Sequence, residues 1–332
     1  MYTIALDAMG GDNAPQAVVE GAKLAVAEFD DITVRLYGPE EVLRPLVDGC
    51  ERVEIVHAPD VIGMHDSPML AVRQKTESSM VKAVMAVREG EADAVVSAGS
   101  TGALLAGGML RIGRIRGVER PALAPVIPGR KKPFLLIDCG ANVDCQARYL
   151  QQFGLMGSVY MQSVLGVERP EVGLANIGAE AEKGDRLARE AYELMSRQTA
   201  YVFKGNAEVR DVPSGDFDVV VADGFVGNVI LKTIEGVTGL IMSMLKDGMR
   251  SSRRAKMGAL MLRTPLREMK NRMDYKSHGG APLLGVNGAV VKAHGSSDAR
   301  AIKNAVRQAR SMLEGCVVEK IRDGLEGLSM EK

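Results

Sequence analysis

Lys183 and Asn228 draw attention by their positions. Lys183 lies in "GAEAEKGD" at the predicted start of one helix, and Asn228 lies in "DGFVGN" in the first turns of another. A lysine near a helix N-terminus opposes the positive end of the helix dipole and is slightly unfavourable unless an anion is close. Lys183 is therefore either a solvated surface charge or part of an anion site. A second feature is the stretch "SAGSTGA" at 97–103, where glycines and hydroxyls occupy a strand-to-helix corner. Free N–H groups at such a corner, with the Ser100 and Thr101 hydroxyls, suit a small anion, phosphate being the usual occupant. Taken alone, either hydroxyl serves equally well as an N-cap.

Other chemistries are harder to place. There is no G-x-S-x-G, no G-x-G-x-x-G with a ribose-binding acid beyond it, and no G-x-x-x-x-G-K-[ST]. A serine-hydrolase elbow, a dinucleotide fingerprint and a P-loop are thus absent. Cys139 follows a predicted strand, but no histidine stands in a recognisable relation to it, so it reads as a small, partly buried thiol. His57, His65, His278 and His294 lack paired metal-ligand spacing, and no metal or cofactor is expected. His278 and His294 sit in the glycine-rich stretch "SHGGAPLLGVNGAVVKAHGSSD", which is expected to line a cleft.

The elements that must position these residues alternate. Short apolar runs predict strands at 3–7, 33–37, 53–57, 93–97, 134–138, 172–176, 201–204, 218–222 and 289–293. Helical patterns cover 15–29, 77–89, 101–114, 146–164, 180–196, 225–249 and 298–322. Such alternation predicts a three-layer α/β/α sandwich with a largely parallel sheet. The runs "ALAPVIP" and "PFLLID", separated by Gly129-Arg130-Lys131-Lys132, could form a hairpin and make the sheet mixed. Five predicted strands end in small or polar chemistry: "DAMGGDNAP", "SAGSTGA", "DCGANVD", "ANIGAEAEKGD" and "ADGFVGN". Ligands bind outside the carboxyl ends of parallel strands, so five such loops point to one cleft. Plain turn chemistry accounts for each loop taken singly.

Composition bounds the partners. The 332 residues carry 42 Lys+Arg against 42 Asp+Glu, so no global field favours nucleic acid or membrane. Aromatic residues make up 4% with no Trp, which argues against a base-stacking surface. Four cysteines without CxxC spacing and no leader-like N-terminus predict a cytoplasmic protein with free thiols. No run of 18 apolar residues is apparent, so no membrane span is expected. One segment departs from neutrality: 244–276 holds ten Lys/Arg against three acids, a net charge of +7. At its centre lie Met257, Ala259, Leu260, Met261 and Leu262, flanked by Arg253 and Arg254 and ended by Thr264-Pro265. Two helices meeting at a projecting tip are expected at about 240–276, the rest of residues 1–332 forming a single catalytic domain. An apolar tip ringed by cations suits an anionic bilayer, an acidic protein or a dimer partner.

The motifs "ALDAMGGDNAP", "SAGSTGALLAGG", "LIDCGANVDC", "NIGAEAEKGD", "DGFVGNVILKTIEG" and "YKSHGGAPLLGVNGAVVKAHGSSD" together resemble the PlsX family, the acyl-acyl-carrier-protein:phosphate acyltransferases of bacterial phospholipid synthesis. The resemblance runs from Ile4 to about Arg310. It implies that inorganic phosphate attacks the thioester of a long-chain acyl group on acyl carrier protein, giving acyl phosphate. A membrane glycerol-3-phosphate acyltransferase then consumes the product. It implies a homodimer of the fold shared by phosphotransacetylases and isocitrate-type dehydrogenases; peripheral membrane association is the expectation drawn from the basic, apolar tip. Phosphate being the nucleophile, no side-chain nucleophile is needed; Lys183 and helix-start N–H groups would hold the dianion, and Asn228 would donate to the tetrahedral oxyanion. Gly10, Gly11, Asp12, Gly99, Ser100, Thr101, Gly102, Asn142, Asp223, Gly224, His278 and Gly279 would line the phosphate and substrate site, with Asp7 and Asp223 orienting donors or binding a proton in transit. Leu260, Met261, Leu262, Arg253 and Arg254 would contact membrane or carrier. Three other activities compete: a phosphotransacetylase using acyl-coenzyme A, a decarboxylating dehydrogenase, and a catalytically silent adaptor.

Overall fold

The computed structural model describes residues 1–273 and 279–329, with side chains described except at 270–273 and 329. Its strands are β1 (Tyr2–Asp7), β2 (Ile32–Gly38), β3 (Val53–His57), β4 (Ala94–Ser97), β5 (Ala122–Leu123), β6 (Val126–Ile127), β7 (Phe134–Ile137), β8 (Glu171–Asn176), β9 (Val202–Glu208), β10 (Val219–Val221), β11 (Ala281–Leu284) and β12 (Ala289–Lys292). The helices are α1 (Gln16–Glu28), α2 (Glu40–Val47), α3 (Pro68–Gln74), α4 (Ser79–Glu89), α5 (Thr101–Gly107), α6 (Ala147–Leu165), α7 (Arg186–Arg197), α8 (Gly224–Arg250), α9 (Arg253–Met261), α10 (Arg263–Met273), α11 (Ala299–Glu314) and α12 (Val317–Ser329).

The single expected sheet is in fact two. One has the order β3-β2-β1-β4-β12-β11-β5 and the other β6-β7-β10-β8-β9. In the first, β3 to β12 run parallel, while β11 and β5 are antiparallel additions. In the second, β7, β10, β8 and β9 run parallel, and β6 closes the expected hairpin on β7. The run "ALAPVI" therefore serves both sheets. Ala122 and Leu123 pair with β11, then Pro125, which has no N–H for a ladder, marks the passage to Val126 and Ile127 on β7.

The layers follow from the strand period of two. Ile4, Leu6, Val96 and Val291 pack with Val18, Ala22, Ile302 and Ala305 of α1 and α11. Their alternates Ala5, Val95 and Val290 pack with Met80, Val84, Ala103 and Leu104 of α4 and α5. Likewise Leu135, Ile137 and Val219 join Leu150, Phe153 and Met156 of α6, whereas Phe134, Leu136 and Val220 meet Ile230 of α8. Parallel strands covered on both faces are apolar throughout for this reason. The largest apolar cluster draws on both sheets, so one core joins them.

α8 bears on the expectation about membrane spans without overturning it. It has 27 residues and an 18-residue window of mean hydropathy 1.4, long and apolar enough to cross a membrane by length and composition alone. Its first turns pack on the second sheet, and the remainder stands clear, leaving Val237, Leu240, Ile241 and Met244 exposed. The projection then continues as α9 and α10 rather than as two helices only. Ser252 caps α9 by accepting from Ala255 N at 3.1 Å. Leu260, Met261 and Leu262 are 69%, 83% and 55% exposed.

Candidate active site

Three loops interlock at the carboxyl edge of the first sheet. Asp7 ends β1 and is 2% exposed. Ser79 Oγ and Ser97 Oγ each donate to its carboxylate at 2.6 Å. Burial pushes its pKa up, while these hydroxyls and the charge of Lys292 pull it back. A Cβ on Gly10 would lie 2.5 Å from Asp7 Oδ2 and 2.6 Å from Gly99 N, so the loop admits no side chain there. Gly11, at φ +104°, lies against Ala98 and Gly295, and Asp12 N donates to Gly295 O at 2.8 Å. Ser100 is the N-cap of α5, accepting from Ala103 N at 3.4 Å. The capping alternative thus accounts for Ser100, and Thr101 next to it is exposed.

The corner of the second sheet is built from backbone donors. Asp138, fully buried, accepts from the N–H groups of Leu123, Ala141 and Asn142 at 2.9, 3.2 and 2.7 Å, and from the Asn142 amide at 3.0 Å. Burial outweighs these bonds and raises its pKa to about 6. The Asn142 amide also donates to Pro121 O at 2.8 Å, and Asn142 O accepts from Gly224 N at 2.7 Å. Asp223 caps α8, its Oδ1 accepting from Phe225 N and Val226 N at 2.9 Å. Asn142, Asp223 and Gly224, expected as substrate contacts, thus also hold the frame.

Between the two corners lies a cavity of about 240 Å³. Its walls take Gly99, Thr101, Lys292, Ala293, His294, Gly295 and Ser297 from the first sheet's edge, and Cys139, Asn228, Leu231, Lys232 and Glu235 from the second. Leu123, Pro125, Val126 and Ile127 of the shared run supply an apolar floor. Of the expected site residues, Gly99, Thr101, Asn228 and Gly279 line it. Gly10, Gly11, Asp12, Ser100 and Gly102 form the loops behind it, and His278 lies outside the described residues. Cys139 faces the cavity, but burial and the neighbouring Asp138 push its thiol well up, which leaves it a poor nucleophile.

Lys183 is not on this cavity. α7 begins at Arg186 behind an Asp185 cap, so Lys183 precedes the helix instead of starting it. Its loop is pinned by Asn176 Nδ2 donating to Lys183 O at 3.1 Å and Asn206 Nδ2 donating to Glu180 O at 2.7 Å. The exposed Lys183 adjoins Gly184 on the wall of a second cavity of about 300 Å³, which Asn176, Ile177, Asp185, Asp223 and Val226 also line. The first turns of α8 separate the two: Asp223 and Val226 face the second cavity, Asn228 and Lys232 the first.

Sequence reasoning missed Lys292, Lys232 and Glu235. Lys232 and Glu235 follow Asn228 by four and seven residues, which puts all three on one helix face. Lys292 is a lone charge ending the apolar strand "AVVK".

This architecture has known counterparts. A phosphotransacetylase, EutD from Staphylococcus aureus, superposes with a TM-score of 0.61 at 17% identity, over 93% of this chain and 94% of that one, which shows a common fold. The phosphate acyltransferase of Clostridium botulinum (strain Loch Maree / Type A3) is 49% identical over 98% of each chain. That of Clostridium acetobutylicum is 50% identical over 98% of this chain and 99% of the relative. Residues 2–320 match the family described as "Fatty acid synthesis protein". A match over nearly the whole length, joined to relatives at half identity, makes this chain a member of that fatty acid synthesis protein family, the PlsX family that its motifs resemble.

Proposed function

We propose that the chain is a phosphate acyltransferase that moves a long-chain acyl group from acyl carrier protein to inorganic phosphate. The observation that carries this reading is the main cavity, with an apolar floor on one side and Asn228, Lys232 and Lys292 on the other. The floor suits the acyl chain, and the polar wall suits a dianion. A phosphate oxygen attacks the thioester carbon, the tetrahedral oxyanion collapses, and the carrier's thiolate leaves and takes a proton. Asn228 donates to the oxyanion, whereas Lys183, beyond the first turns of α8, would meet only a part of the substrate that reaches the second cavity. Incubation with phosphate and, in turn, palmitoyl-carrier protein, palmitoyl-coenzyme A and acetyl-coenzyme A tests the reading. Acyl phosphate from the carrier substrate alone is expected; preference for acetyl-coenzyme A would make the protein a phosphotransacetylase instead. Asn228→Ala is expected to reduce turnover by about 10²–10³ without unfolding, the usual loss of an oxyanion donor. Retention of half the turnover would leave Asn228 a wall residue only.

The exposed stripe Val226, Val229, Val237, Leu240, Ile241 and Met244 repeats at helical spacing along α8 and fits a homodimer seam. The basic, apolar tip fits the headgroup region of an anionic bilayer, and a cytoplasmic protein docked there would deliver acyl phosphate to a membrane glycerol-3-phosphate acyltransferase. Leu260→Glu/Leu262→Glu is expected to abolish co-sedimentation with anionic vesicles while turnover in solution persists. Equal sedimentation of mutant and wild type would remove the membrane role.

A further inference from the structure

Lys292 ends a strand whose other residues, Ala289, Val290 and Val291, are apolar and buried. It is itself only 8% exposed. Among the described residues no carboxylate lies at ion-pair distance from it; its Nζ donates to the carbonyls of Ala98, at 3.3 Å, and Ala293. An ammonium has three N–H donors, so one remains for the cavity that Lys292 lines. Burial of a cation on carbonyl dipoles alone is costly, and here it lowers the lysine's pKa to about 8. Lys232 adds to that shift by repulsion from across the cavity, and its own acidic partner, Glu235, is engaged at 2.8 Å. Two cations facing one cavity repel each other, and a dianion between them reverses the sign of that interaction.

We propose that Lys292 binds the attacking phosphate, with Lys232 closing the site from the opposite wall, an inference that rests on the acyl-transfer reading above. The phosphate then lies beside Gly99 and Thr101, because the Ala98 carbonyl ties Lys292 to that same corner. The charged and titratable groups around Lys292 are Asp7 at the end of β1, Asp12 from the loop after it, Lys232 and Glu235 from α8, and His294 beyond its own strand.

Lys292→Met keeps the length of the side chain and removes its charge. With saturating palmitoyl-carrier protein, its KM for phosphate is expected to rise about thirtyfold, the size of one charge-assisted hydrogen bond. The kcat at saturating phosphate and the KM for the carrier substrate should change little, because the contact holds ground state and transition state alike. Lys292→Arg should recover part of the loss. Calorimetric titration of wild type with inorganic phosphate, without acyl donor, should show affinity falling as pH rises through about 8, and Lys292→Arg should move that fall upward. A folded Lys292→Met whose phosphate KM stays within twofold of wild type would overturn the proposal. If that variant does not fold, a wild-type phosphate affinity that is flat from pH 7 to 9.5 would overturn it. Wild-type enzyme that forms no acyl phosphate from any donor would overturn the underlying reaction instead.

Discussion

Asp7 and Asp138 occupy matching places in the two sheets. Each closes a parallel strand at its carboxyl end, each is buried, and each has its carboxyl pushed up by burial. Their holders differ. Asp138 is gripped by three backbone N–H groups and one amide. Asp7 is gripped mainly by two serine hydroxyls, and the field of Lys292 reaches it. Backbone donors fix a chain path and cannot be exchanged, whereas hydroxyls and a nearby ammonium can shift with the charge in the cavity. The second corner is thus frame and the first is working surface, although both look alike as glycine-rich strand ends.

The strongest way to break this comparison is Asp138→Ala, which strands three buried N–H groups. At about 1–3 kcal/mol for each unsatisfied group, a loss on the order of 5 kcal/mol is expected, enough to unfold a domain of ordinary stability. Urea unfolding measures it, and a loss below about 1 kcal/mol would show that the corner is held elsewhere. The next effect in size is a pH dependence. A carboxyl whose pKa is raised to about 6 in the fold binds its proton more tightly there than in the unfolded chain. Its contribution is complete below the unfolded value and fades as pH rises through about 6. Relative to Asp138→Asn, wild type should therefore gain up to about 3 kcal/mol between pH 7 and pH 4. A constant difference across that range would contradict the raised value. The smallest effect concerns Asp7→Asn, which keeps the shape and an acceptor for one hydroxyl. A stability loss of about 1–2 kcal/mol is expected, together with phosphate affinity that falls at a lower pH than in wild type, since Lys292 loses a charge that raises its pKa. An unchanged pH profile would separate Asp7 from the phosphate site.

Much of the frame was legible because strands buried on both faces must be apolar along their length. The nine expected strands all occur with small shifts of boundary. The division into two sheets was not legible, since Ala122–Ile127 reads as one apolar run and only pairing with distant β11 and β7 assigns its halves. α2 and α3 have no counterpart among the expected helices; Pro45 lies inside α2, and Pro68 sits at the first turn of α3, where proline is tolerated. The loops of the cleft were found by their glycines, but the roles within them were not. Asn142 and Asp223 look like ligands in a motif, and in space both also hold backbone groups, Asp223 while lining the second cavity. Lys292 looks like an edge charge until β12 is seen between β4 and β11. Gly184 and Asp185 did carry a signal, a turn followed by an N-cap, that places Lys183 ahead of its helix.

The shared run between the sheets also has a mechanical meaning. Leu123 is fastened to Leu283 in one sheet and Val126 to Leu135 in the other. Three residues of fully extended chain reach at most about 11 Å, and the ring of Pro125 stiffens that span. The floor of the cavity is therefore a short inextensible tether. If the cleft widens to admit an acyl chain presented on a protein carrier, the sheets cannot part at this edge. They must swing about it, so that the displacement grows with distance from Pro125 and is felt least at the floor of the cavity.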